Sequence, residues 1–462
     1  MKKIFEEIVG RIPDYKEFLT VEELDNSSKK LAEDYPDVVK IFEMGKTRGG
    51  HPLYCLKIGE GSKNALMFGC PHPNEPIGTM MLEHFTKELA SNKELRESLD
   101  YTWYVIKAWD ADGTKLNENW FKGPYTLYNY ARNFFRPAGH QQVDWTFPID
   151  YKGLHFHESI PETKSMMKLI DEIKPKFIYS LHNAGFGGTY WYITHPTPEI
   201  YDEMRQAPIK QYVPLNLGEP EAPYCIALSP AIYKNLGIQE EYDYLEKYGE
   251  ENPGELIKVG TCSADYAKGN WDSFTLLTEL PYFYDKRIED LSEADITRAD
   301  AVLHKLEFNE KGNKFIKEVM ESTKDYVCEN NPFKLALDAF TESRSSEATK
   351  RMVRENPDFA KNATVAEKFD NLLMSKFYKM LSFGLLVRLH ETELQGMKEN
   401  NEVNEEKKAA LEKAFNSAEE VLKNLSEELE EKINYEVVPI KKLASIQLEC
   451  GLLVADYLQN NK

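Results

Sequence analysis

Paired cysteines are missing from this 462-residue chain. Its six cysteines, Cys55, Cys70, Cys225, Cys262, Cys328 and Cys450, are scattered without a Cys-x-x-Cys pair. That pattern excludes a disulfide framework as the organising device and fits free thiols in a reducing compartment. Positive charge is also short. Lysine and arginine number 57 against 77 aspartates and glutamates, a net charge of −20. A general nucleic-acid binder needs a basic footprint for the phosphate backbone, so that class is set aside. Long apolar runs are absent too. The greasiest stretch, Met380 to Leu389, is interrupted by Ser382, Gly384 and Arg388, and a bilayer span needs about 20 apolar residues. The start, Met1-Lys2-Lys3-Ile4-Phe5-Glu6-Glu7, turns acidic before any apolar core forms, so no signal peptide is read there. The expectation is a cytoplasmic protein with no membrane and no nucleic-acid partner; no feature fixes an oligomeric state.

What is present divides by texture. Up to about residue 290, short apolar runs alternate with amphipathic stretches, the pattern of an α/β domain. Expected strands are Val38–Glu43, Leu53–Ile58, Ala65–Gly69, Tyr101–Ala108, Phe177–Leu181, Trp191–Ile193 and Phe274–Leu280. Expected helices include Val21–Tyr35, Gly78–Ser91 and Pro161–Ile173. Several strands lack clean alternation, which suits a sheet covered on both faces. After Asp285 glycine becomes rare, and apolar residues fall at helical spacing, as in Leu411, Ala414, Ala418, Leu422, Leu425 and Leu429. Val365–Met380 and Ile440–Tyr457 read the same way, and the serine-rich Thr341–Thr349 reads as an exposed loop. The length favours two domains: residues 1–290 as a mostly parallel mixed sheet flanked by helices, and residues 291–462 as an all-helical domain.

Chemistry concentrates at three strand ends. Ala65–Cys70 leads into Pro71-His72-Pro73-Asn74-Glu75, Phe177–Leu181 delivers His182, and Glu279 sits in the apolar stretch Phe274–Pro281. His-x-x-Glu alone carries little weight, since it recurs at His155/Glu158, His304/Glu307 and His390/Glu393. The pairs at His304 and His390 read as solvated helix faces. His72 and Glu75 differ because they follow directly on an apolar strand. Ligands of open parallel sheets bind beyond the carboxyl ends of the strands. Two histidines and a carboxylate are a ligand set for a catalytic zinc with an open position. A carboxylate buried like Glu279 is costly without a charged neighbour, and it is the candidate base.

These residues resemble the zinc metallocarboxypeptidase family, the carboxypeptidase A-like enzymes. Cys70-Pro71-His72-Pro73-Asn74-Glu75-Pro76-Ile77-Gly78 is similar to the family's first metal motif, and His182 to its third ligand. Ser263-Ala264-Asp265-Tyr266 followed by Phe274–Pro281 is similar to the block ending in the catalytic glutamate. The resemblance covers about residues 15 to 285. It implies that His72, Glu75 and His182 hold Zn2+ and that Glu279 moves the proton. It also implies that Asp144 accepts a hydrogen bond from His72 and that Arg132 polarises the scissile carbonyl. The implied activity is removal of a C-terminal residue by metal-assisted attack of water on a peptide.

The chain departs from that family in one place that matters for substrate. An Asn-Arg pair usually follows the aspartate and grips the terminal carboxylate, whereas Trp145-Thr146-Phe147-Pro148 stands here. Arg136 or another basic group would have to substitute. The tyrosine expected before the Ser-Ala-Asp block is replaced near its offset by Ile257. An N-acyl amino-acid deacylase or cell-wall peptide amidase on the same fold is therefore a second reading, with an acylated amino acid as substrate. A non-catalytic binding protein is a third.

Overall fold

A nine-stranded mixed sheet runs through the computed structural model, which describes residues 2–342 and 346–461. Its strands are β1 (Val39–Lys46), β2 (Pro52–Ile58), β3 (Lys63–Phe68), β4 (Tyr101–Ile106), β5 (Phe177–Leu181), β6 (Tyr190–Ile193), β7 (Ala227–Ser229), β8 (Ile232–Lys234) and β9 (Phe274–Glu279). They lie in the order β1-β2-β4-β3-β5-β9-β6-β8-β7. The central strands β4, β3, β5 and β9 run parallel, and antiparallel pairs bound them through β2 and β6. All seven strands expected from the sequence are present. The short edge pair β7 and β8 was not expected; at three residues each they carry no readable period.

Burial on both faces explains the missing alternation. Ala65 and Met67 of β3 and Tyr179 of β5 join one core, while Leu66, Phe68 and Ile178 join another on the opposite face. The helices include α1 (Val21–Asp34), α2 (Ile77–Ser91), α3 (Leu127–Asn133), α4 (Pro161–Ile173), α5 (Ser263–Trp271), α6 (Arg298–Thr323), α7 (Ser375–Glu399), α8 (Glu405–Lys432) and α9 (Ile440–Asn460). A capping box between Thr20 and Glu23 opens α1, and Pro161 opens α4 at the position where a missing N–H costs nothing. Residues of α2 and α9 fill the first core, and residues of α4 and α5 the second.

The region after 290 is helical apart from two short ladders, Glu293–Thr297 with Asn362–Thr364 and Phe283–Tyr284 with Glu436–Val437. The expected Val365–Met380 helix is interrupted by a π-helical turn, Asp370–Met374, before α7 begins. Such turns insert a residue and re-aim the side chains that follow. Ser346–Glu355 is a helix, so the serine-rich stretch is not all loop; residues 343–345 lie outside the described residues. His390 is fully buried and bonded to Leu386 O and Thr323 Oγ1, not a surface partner of Glu393.

Close contacts bind the helical region to the sheet and to the helices around it. On α7, Gly384 lies so close to α3 that a Cβ there would stand 1.8 Å from the Ala131 carbonyl oxygen. The helix α9 crosses back onto the sheet, where Tyr179 of β5 donates to Gln447 O at 2.8 Å and Tyr101 of β4 to Ala455 O at 3.2 Å. One apolar core therefore runs from Phe5 to Ala455. The change of composition at 290/291 marks where long helices begin, not where one core ends.

Candidate metal centre and catalytic cavity

Strand geometry brings the ligands together. After β3 the chain turns through Cys70, whose φ of 48° is left-handed, and places His72 and Glu75 in the short loop before α2. The neighbouring parallel strand β5 ends one residue before His182. The loops are tied to each other: Ile77 N donates to Asn183 Oδ1 at 3.1 Å, and the Tyr282 hydroxyl donates to Asn183 Oδ1 and Asn74 O. From α9, Gln447 Nε2 donates to the His182 carbonyl at 3.2 Å.

The side chains converge with their Nδ1 atoms inward. His72 Nδ1 is 3.0 Å from Glu75 Oε1, His182 Nδ1 is 3.0 Å from Glu75 Oε2, and the two Nδ1 atoms are 3.2 Å apart. A tetrahedral zinc with bonds of roughly 2.0–2.1 Å separates its donors by about 3.3–3.4 Å, so the set fits that ion. It is the one group of three such ligands among the described residues, and each is buried. Chemistry agrees with geometry. Burial, helped by the Arg136 guanidinium, pulls His72 down to about 3, which leaves its imidazole neutral. Burial alone would push Glu75 up, but His72 and the hydrogen bonds from both imidazoles outweigh it and hold the carboxyl below its usual range. The Asn183 amide donates to Glu75 Oε2 as well, at 3.2 Å.

Glu279 closes the other side of the ligand set. It terminates β9, and its Oε1 is 3.7 Å from His182 Nδ1. Burial and the like charges of Glu75 and Glu221 push it well above the ordinary carboxylate range.

Two expected roles fall elsewhere. Arg132 is not at the site: its guanidinium pairs with Glu391 of α7 and Glu419 of α8, which fastens α3 to those helices. The arginine facing the ligands is Arg136, whose Nη1 lies 3.5 Å from Glu75 Oε1. Arg132 lies within α3, on the side turned to the long helices, whereas Arg136 follows that helix in an extended segment. The aspartate Asp144 does not receive a bond from His72 in this structure. It accepts from the Ser263 amide at the start of α5, at 2.6 Å, and burial raises it to about 6. The outer nitrogen of His72, Nε2, is buried without a hydrogen-bond partner, while that of His182 meets Ser180 Oγ at 2.7 Å.

A cavity of about 420 Å³ opens over the ligands. Of the aromatic residues near the motifs, Tyr130, Phe134, Phe186 and Tyr190 line it, while Trp191 and Phe135 are core. Its roof was not anticipated. Lys305 and Asn309 come from α6, Asp370 and Met374 from the π-helical turn, and Tyr378 and Lys379 from α7. Tyr378 donates to the Phe186 carbonyl at 2.8 Å and so ties the roof to the loop behind His182. Period-3.6 patterning marks these residues only as helix positions and says nothing of what they face.

Comparison with known proteins identifies a zinc-dependent family. Residues 24–338 match the zinc carboxypeptidase family, a zinc-dependent family, and the match runs past residue 290 to the end of α6 and beyond. Mouse mast cell carboxypeptidase A is 30% identical over 116 residues, 23% of this chain and 28% of that protein. Human carboxypeptidase A6 is 26% identical over 179 residues, 34% of this chain and 40% of that protein. The chain thus spans less than half the length of these curated relatives. Among solved structures, carboxypeptidase A from Helicoverpa armigera is similar at 14% identity over 61% of this chain and 71% of that one, with a TM-score of 0.35. A match over more than half of its length, which takes in the candidate metal site of His72, Glu75 and His182, makes this chain a member of the zinc carboxypeptidase family.

Proposed function

We propose that this protein hydrolyses the C-terminal amide bond of short peptides. The observation that carries the reading is the convergence of His72, Glu75 and His182 beside Glu279 at the floor of a roofed cavity. His72 and His182 through Nδ1, and Glu75 through its carboxylate, would hold the zinc. When bound, zinc supplies a Lewis acid that polarises the carbonyl and makes water a stronger nucleophile near neutral pH. The chain's own groups do the rest. Glu279 takes a proton from the attacking water at its carboxylate and returns it to the leaving nitrogen, so no net proton is consumed there. Arg136 lies beside Glu75 and faces the same cavity, where its guanidinium would offset the charge growing on the carbonyl oxygen. The roof keeps bulk water from the reacting groups and admits only small substrates.

Arg136 and Arg132 separate by kinetics. Arg136→Ala is expected to lower kcat by about 10²–10³-fold with metal content retained. Arg132→Ala is expected to leave kcat within a few-fold of wild type and to lower the melting temperature, since its pairs join α3 to α7 and α8. Steady-state kinetics and thermal melts on both variants check this.

One observation favours a second reading, hydrolysis of N-acyl amino acids or amides without a free peptide carboxylate. In the stretch 145–148 that stands in place of the family's clamp, Thr146 and Phe147 are fully buried, Thr146 meets Thr163 at 2.6 Å, and no residue of the stretch lines the cavity. A digest of a peptide library, with each member as free acid, C-terminal amide and N-acyl form, decides between the readings. The leading one expects loss of single C-terminal residues from free acids. Cleavage of amides at comparable rates would support the second, and a zinc-loaded protein inert on every member would remove both.

A further inference from the structure

Lys379 lies in the cavity wall with no acid among the described residues to answer its charge. It is 8% exposed, lines the cavity from α7, and donates to the neutral Asn313 Oδ1 at 2.7 Å. No carboxylate among the described residues pairs with it, and burial without an acid to offset it pulls the ammonium down to about 8. Three acids of the same cavity are engaged elsewhere. Glu219 is held by both arms of Arg298, at 2.8 and 2.6 Å, and Asp370 accepts the Glu219 amide. Glu221 receives the Tyr192 hydroxyl at 3.0 Å. A buried ammonium lacking a counter-charge is expensive, and that cost falls when an anion enters beside it.

The stretch that stands in place of the family's clamp supplies no cation for such an anion, and Arg136 is drawn toward Glu75. Thr146 and Phe147 of that stretch are fully buried, and none of residues 145–148 lines the cavity. We propose that Lys379, carried in by the helical roof, binds the free carboxylate of a short peptide lying in the cavity. A carboxylate is favoured over a phosphate because the Lys379 ammonium has only the neutral Asn313 amide beside it and supplies few donors of its own. The assignment rests on the peptidase reading and makes Lys379 a binding residue that orients substrate, not a participant in bond cleavage.

The test uses the zinc-loaded full chain carrying Glu279→Gln, so that ligands persist. Its probes are N-acetyl dipeptides with apolar, acidic or basic C-terminal residues, each as free acid and as amide, titrated calorimetrically. At least one acid is expected to bind about 10- to 100-fold more tightly than its amide, the range of one charge-assisted hydrogen bond. Adding Lys379→Met is expected to erase that preference and leave amide affinity within a few-fold, while Lys379→Arg retains most of it. Thermal melts of both variants establish that they fold, and the arginine variant keeps the test decisive should the methionine variant fail. Equal binding of acid and amide, an acid preference unchanged by Lys379→Met, or no binding by any member would overturn the proposal. The two readings fail differently. Peptide cleavage by the otherwise wild-type enzyme that is unchanged by Lys379→Met sinks only this assignment. Lys379-dependent acid binding without any hydrolysis sinks only the peptidase reading.

Discussion

Glu279→Gln is expected to lower turnover by about 10²–10⁴-fold, the span of a positioned general base, while metal content stays near that of wild type. Glutamine has nearly the same shape, and no side chain among the described residues depends on Glu279 for a hydrogen bond shorter than its 3.7 Å contact with His182. What is lost is the proton acceptor. The same change has a second signature in the metal-free protein. Burial, Glu75 and Glu221 raise Glu279 in the folded state well above its ordinary 4.5. The folded chain therefore holds a proton that the unfolded chain releases, and its stability falls as pH rises from about 4.5 toward the raised folded value. Glutamine removes that dependence. Metal-free Glu279→Gln should melt higher than metal-free wild type at neutral pH, with the gap closing toward pH 4. Bound cation would offset the repulsion and shrink the gap. Metal analysis, kinetics and melts against pH check all three; an active Glu279→Gln protein would remove the assigned base.

His182→Ala should abolish activity by a different route. Removing one of three protein ligands leaves two, fewer than catalytic zinc sites use, and purified protein should carry close to none of the metal that wild type retains. Chelation of wild type should reproduce the loss, and added zinc should restore wild type but not the variant. Because His182 is buried at 3% exposure and its Nε2 meets Ser180 Oγ, some loss of stability accompanies the change. Comparing melts of metal-free wild type and metal-free variant isolates that part. Metal bound to His182→Ala at wild-type stoichiometry would show that the ligand set has been misassigned.

The sheet and the ligands were readable because each depends on local signals. The apolar runs of β3, β5 and β9 are long enough to show themselves, and His72 and His182 follow such runs within a few residues. A strand end is a place, so a residue type at a strand end carries positional information. The arginine was harder. Arg132 and Arg136 are four residues apart in one stretch, and only the turn at the end of α3 decides which faces Glu75. The family resemblance gives Asp144 to His72, yet the start of α5 claims its carboxylate. The roof was not readable at all. An apolar stripe through Val365–Met380 has the period of a helix, and the π-helical turn at Asp370–Met374 shifts that period where Asp370 and Met374 reach the cavity. Which side of α7 meets a cavity is set by docking against α3, a contact between residues some 250 positions apart.

The docking of α9 sets a schedule for assembly. Gln447 braces a carbonyl made 265 residues earlier, so on the ribosome both imidazoles emerge well before the segment that steadies them. At roughly 5–20 residues per second the delay is on the order of ten to fifty seconds. A half-made polypeptide therefore carries its ligands without their backing, and competence arrives only after residues 440–460 have been translated and have folded home.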